Sequence, residues 1–156
     1  MIALHMSGST RRYHTVCGLE QDVAAHSWGV AVILTRLHPN PSIHLIKAAL
    51  YHDCAEKYTG DLPATVKWAN PQLKKEMLIV EETWERELGI DLKLNDEDAR
   101  WLKAADMLEL ILFCDRACMM GNQYAAEIKE RGLQYLRDMR PLPREVIIFL
   151  QSAGWI

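Results

Sequence analysis

No stretch of this 156-residue chain comes near the roughly 18 consecutive apolar residues that a membrane-spanning helix needs. The opening MIALHMSGSTRR has no long apolar core of the kind a secretory signal carries. Both absences give the expectation of a cytoplasmic protein with no membrane partner. Cysteine is sparse: Cys17, Cys54, Cys114 and Cys118 form no CxxC pair, so buried, reduced thiols are expected rather than a disulfide framework or a zinc cluster. A surplus of positive charge is also missing, because 18 Lys and Arg face 21 Asp and Glu for a net charge of −3. No global field draws the chain to a nucleic-acid polymer, and an anionic ligand must be held by local cations. Alternating strand patterns, repeats and linkers are absent as well, which leaves a single all-α domain over residues 1–156, a helical bundle.

What is present fits that class. About half of the residues are apolar and a quarter are charged, as in a soluble globular protein. Val23, His26, Val30, Ile33, Leu34 and Leu37 form one stripe, which predicts a helix over Asp22–Leu37 with Asp22 as its cap and Pro39 beyond its end. A second helix is predicted from Ser42 to Thr59-Gly60, with Leu45, Ala49, His52 and Glu56 on one face. Further helices are predicted over Pro71–Leu88, closed by Gly89, and from Asn95 or Asp96 toward Met120. In the latter, Leu102, Asp106, Leu110, Phe113 and Ala117 make the expected apolar stripe. Asn122–Met139 and Pro143–Ser152 complete the set, and the run VIIFL in the last is apolar on every face, from which a homo-oligomer is expected.

Three polar spots interrupt the apolar faces: His26, the His52-Asp53 pair and Asp106. An unpaired buried polar group costs a few kcal/mol and a charge more, so each needs a partner. Taken singly they have bland readings, His26 as a satisfied core histidine and Asp106 as a partner of Arg100 or Lys103. Together, two imidazoles and two carboxylates from three helices supply four ligands for one divalent transition metal and leave positions open for water and substrate oxygen.

The order His26…His52-Asp53…Asp106 resembles the HD-domain phosphohydrolases. Its surroundings, "DVAAHSW", "HDCAEKYTGDLPATVKW" and "KAADMLE" followed by "GN", look like the branch that holds bacterial 5′-deoxynucleotidases and small phage dATP triphosphohydrolases, over roughly residues 11–124. The resemblance implies His26, His52, Asp53 and Asp106 as ligands of one divalent ion (Co, Mn, Zn, Ni or Fe). It also implies Glu56 and Asp61 as proton-handling acids and a deoxynucleotide as substrate. For phosphate it suggests Lys67, Lys103 and one of Arg11 and Arg12.

Two departures bear on specificity. The deoxynucleotidases have an Arg-Trp pair before the first ligand, whereas this chain has Arg11-Arg12-Tyr13, so either Arg12 or Tyr13 stands at the aromatic's place. No histidine follows His52, contrary to the binuclear HD phosphodiesterases. The two lysines favour a triphosphate, giving a dATP-type triphosphohydrolase that releases deoxynucleoside and triphosphate, with a second Mg or Mn accompanying the substrate. The alternatives are a 5′-deoxynucleotidase acting on dNMPs and a non-enzymatic nucleotide-binding or assembly module with a structural metal.

Overall fold

The computed structural model describes residues 2–8, 11–12, 19–90 and 93–156. Helices α1 (Ile2–Ser7), α2 (Val23–Leu37), α3 (Ile43–Tyr51), α4 (Glu56–Thr59), α5 (Ala64–Ala69), α6 (Pro71–Leu88), α7 (Asp96–Met119), α8 (Ala125–Asp138) and α9 (Arg144–Ser152) follow in chain order. The all-α class holds. Its exception is a two-residue antiparallel ribbon, β1 (Arg11–Arg12) against β2 (Gln21–Asp22), which pairs Arg11 with Asp22 and Arg12 with Gln21. Pairs this short leave no alternation to read from sequence.

Local chemistry sets most of the boundaries. The Asp22 carboxylate accepts from the Ala25 N–H at 2.7 Å and so satisfies one of the bare amides that open α2. Ser42 does the same for α3 through the Leu45 N–H, and Asn95 for α7 through that of Asp98. Asp96, Glu97 and Asp98 place negative charge where the α7 dipole is positive. Gly89, at φ 70°, adopts the left-handed turn that closes α6.

α7 is the central element and packs on α2, α3 and α8. Being enclosed on several sides, it buries more than the single predicted stripe: Ala104, Ala105, Leu108, Ile111 and Cys114 are sealed in, while Leu102 is only partly covered. Leu34, Leu45, Leu136 and Leu150 fill the same core, each contributing about 1.5–3 kcal/mol from burial. In α9 the VIIFL run is less uniform than predicted, since Val146 and Leu150 are buried while Ile148 faces outward. α8 begins at Ala125 rather than Asn122, after a turn in which the Asn122 side chain accepts from the Tyr124 N–H. Cys54, Cys114 and Cys118 are free thiols, and Cys17 lies outside the described residues. Among the described residues no helix is long and apolar enough to cross a membrane.

One correction matters for the site. The helix predicted to run from Ser42 to Thr59 ends at Tyr51, and residues 52–55 form tight turns before α4. The Cys54, Glu56 and Tyr58 amides bond to carbonyls three residues back, those of Tyr51, Asp53 and Ala55, instead of four. On an uninterrupted helix neighbouring side chains point about 100° apart. Leaving the helix at His52 allows His52 and Asp53 to face one centre.

Candidate metal centre

His26 lies near the start of α2 and is fully buried. Its Nδ1 is 2.5 Å from Glu109 Oε2. A carboxylate only accepts, so Nδ1 carries the ring proton and Nε2 presents its lone pair. His52 is fixed in the same way: its Nδ1 donates to the Ala49 carbonyl at 3.0 Å, which leaves Nε2 bare. The two Nε2 atoms face each other at 3.2 Å. Two lone pairs held that close repel unless a cation or a proton lies between them.

The carboxylates complete the ring of donors. Asp53 Oδ2 is 3.4 Å from His26 Nε2, and its Oδ1 is 3.4 Å from His52 Nε2. Asp106 Oδ1 stands 3.3 Å from His26 Nε2 and 3.8 Å from His52 Nε2. Donors sharing one ion at about 2.1 Å stand about 3.0 Å apart at right angles and about 3.4 Å apart at the tetrahedral angle. The observed separations fall at or slightly above these values, so His26, His52, Asp53 and Asp106 fit a single transition-metal ion. His26, His52 and Asp53 alone already form a compact set, with all their donor atoms within 4.8 Å of one another.

Lys103 lies one turn before Asp106, and its ammonium donates to Asp106 Oδ2 at 2.7 Å, so one carboxylate oxygen faces the lysine and the other the histidines. Burial works to raise the Asp106 carboxyl. The Lys103 charge, with a smaller contribution from the two imidazoles, outweighs it and holds Asp106 well below the usual carboxylate range. The Lys103 ammonium is correspondingly raised by Asp106. Glu56, predicted on the same continuous helix as His52, instead opens α4 beyond the break, yet it is almost wholly buried and stands 3.6 Å from the Lys67 ammonium. Asp61 sits half-buried in the loop after Gly60, outside the compact donor set. On α6, burial pushes up the carboxyls of Glu81 and Glu85. Lys67 opposes this at Glu81, and Glu81 itself is the next cause at Glu85.

The Arg11 and Arg12 side chains, and Tyr13 altogether, lie outside the described residues. Two contributors escape the sequence reading. Glu109, three residues beyond Asp106 and so on the same helix face, orients His26, and the Gln21 amide donates to Glu109 Oε1 at 2.7 Å. A single acid inside the otherwise apolar run following Asp106 was the available signal for Glu109. Gln21 has none, because its neighbour across the fold is 88 residues away. A cleft of about 450 Å³ lined by His38, Arg100, Trp101 and Arg144 shares no residue with this cluster.

Known proteins resemble this sequence and share this fold. Residues 5–95 match the family model described as 5′-deoxynucleotidase YfbR-like. A 5′-deoxynucleotidase of Vibrio cholerae serotype O1 is 32% identical over 120 residues, covering 67% of this chain and 60% of that protein. The 5′-deoxynucleotidase VV1113 of Vibrio vulnificus is 33% identical over 98 residues, covering 53% of this chain and 50% of that protein. The chain thus spans about half to three fifths of the length of these curated relatives. Among solved structures, the HD phosphohydrolase DatZ of cyanophage S-2L, described as bound to dA and one catalytic Zn²⁺ ion, superposes with a TM-score of 0.70 at 23% identity, covering 99% of this chain and 95% of that one. An HD-domain phosphohydrolase from Listeria innocua gives a TM-score of 0.74 at 19% identity, covering 97% of this chain and 83% of that one. At these identities the two structures speak to the fold, which is the same.

Proposed function

The chain belongs to the YfbR-like 5′-deoxynucleotidase family, and on that premise we propose that it is a metal-dependent phosphohydrolase of deoxynucleoside 5′-phosphates, with the monophosphate as substrate. One observation carries the choice of monophosphate. Asp53, Glu56, Asp106 and Glu109 bring four negative charges to the centre, and Lys67 and Lys103 bring two positive ones, each already beside a carboxylate. One divalent ion cancels the remainder. Such a centre suits the modest charge of a phosphate dianion. A triphosphate asks for more cation than the centre holds, unless a second divalent ion arrives with it. This weighing moves away from the triphosphate expected from the lysines alone.

A divalent ion bound by His26, His52, Asp53 and Asp106 supplies Lewis-acid polarisation of a phosphoryl oxygen and a water made acidic enough to attack. The residues then have separate tasks. Glu56, buried beside the ligand turn, takes the proton from the attacking water, and Lys67 at 3.6 Å steadies its negative form. Lys103 holds Asp106 in place and offers its half-exposed ammonium to the phosphate. Asp61 assists from the loop after Gly60.

Product analysis over dNMPs and dNTPs with Zn²⁺, Co²⁺, Mn²⁺ and Mg²⁺ tests the reading: orthophosphate from dNMPs supports it, and tripolyphosphate from dNTPs replaces it with the triphosphohydrolase reading. Lys103→Ala is expected to lower kcat/KM on monophosphate and on any triphosphate by one common factor of about tenfold or more, because it loosens Asp106 for both. A loss confined to triphosphate, by about 2–3 kcal/mol, would mark Lys103 as a polyphosphate contact and overturn the monophosphate choice.

A further inference from the structure

We propose that Gln21 is a positioning residue for the metal centre, acting through Glu109 on His26. The inference rests on His26 being a metal ligand, as read above. Gln21 Nε2 donates to Glu109 Oε1 at 2.7 Å, and Glu109 Oε2 accepts from His26 Nδ1 at 2.5 Å, so a single carboxylate is gripped from both sides. Of the two ends of an amide only the nitrogen can face a carboxylate, which fixes which way the Gln21 side chain is turned. The bond to Glu109 in turn fixes which nitrogen of His26 is left to bind metal.

The remaining features of Gln21 suit this task. Its backbone is clamped twice, by ribbon pairing with Arg12 and by its place immediately before Asp22, the cap of α2. It is 92% buried, at 8% exposure, and among the described residues its amide oxygen has no hydrogen-bond partner. Burying a glutamine with half of its amide unsatisfied works against folding, and an apolar side chain would avoid that loss. The contact that compensates is the one to Glu109. Room for that carboxylate is also kept by α2, because a Cβ on Gly29 would stand 2.8 Å from Glu109 Cγ.

The experiment is a double-mutant cycle read by metal affinity, with the dissociation constant for Zn²⁺ measured by competition with a chromophoric chelator. Gln21→Met, which keeps length and burial but donates nothing, is expected to weaken Zn²⁺ binding about tenfold, and Gln21→Glu, which sets a second carboxylate against Glu109, to weaken it further. Both effects should shrink to less than twofold in a Glu109→Ala background, since the residue acts only through that side chain. A thermal midpoint close to that of the parent shows that the fold is retained. Equal losses in both backgrounds, or none in the parent, overturn the proposal and return Gln21 to a packing role. His26→Ala is the control: if it too leaves Zn²⁺ affinity intact, the ligand reading itself has failed. If His26→Ala abolishes binding while the Gln21 variants do not, only the positioning role falls.

Discussion

Asp106→Ala and His52→Ala are each expected to yield folded protein that has lost its metal and, with it, all detectable turnover. Each substitution removes one of the four candidate donors, whose separations from the histidine nitrogens run from 3.2 to 3.8 Å. Loss of a ligand costs more than loss of an orienting partner, so affinity should fall by well over the 10–100-fold typical of the latter. Asp106→Ala has a second consequence: the Lys103 ammonium, held raised by that carboxylate, loses its partner and becomes an uncompensated positive charge beside the site. Elemental analysis after dialysis decides the matter, and stoichiometric metal in either variant rejects the assignment.

Glu56→Ala should behave in the opposite way, keeping the metal and losing rate by about 10²–10⁴-fold. Glu56 lies outside the donor cluster but is almost entirely buried one residue beyond the ligand turn, where a glutamate is costly to keep unless its charge is used. Glu56→Gln preserves the shape and removes the basicity, so it should be nearly as slow. If the Gln variant recovers most of the rate, Glu56 is a structural partner of Lys67 and the proton passes elsewhere. Metal content measured on the same samples keeps the two classes of failure apart.

The parts legible in sequence share a physical character: they are local. Asp22, Ser42 and Asn95 cap helices three residues away, Gly89 ends one, and the apolar periodicity of α2 is visible without knowing what it packs against. The four candidate ligand positions stand out in sequence for a different reason, since polar groups on apolar helix faces demand partners wherever they occur. What escaped was set by tertiary contact. The break at His52–Ala55 follows from two adjacent side chains facing one centre, which no propensity encodes. Glu109 and Gln21 meet only because α7 lies against α2 and the β2 segment leading into it. Whether Lys103 serves phosphate or a ligand carboxylate depends on 2.7 Å of geometry that sequence spacing leaves open.

The close approach of Gly29 to Glu109 also makes a statement about history, because it ties two positions 80 residues apart into one choice. With Cγ of Glu109 2.8 Å from where a Cβ would stand, a chain that carries both a side chain at 29 and a glutamate at 109 must shift one of them, and the Glu109 carboxylate holds His26. Across descendants and cousins the two sites should therefore drift as a pair, with anything larger than glycine at the first accompanied by a shorter residue at the second. A lineage that took that route would have had to find another acceptor for the Nδ1 proton of its first histidine. In a laboratory population started from Gly29→Ala, the earliest compensating changes are expected at 109, and their appearance elsewhere would show that α2 can shift to make the room itself.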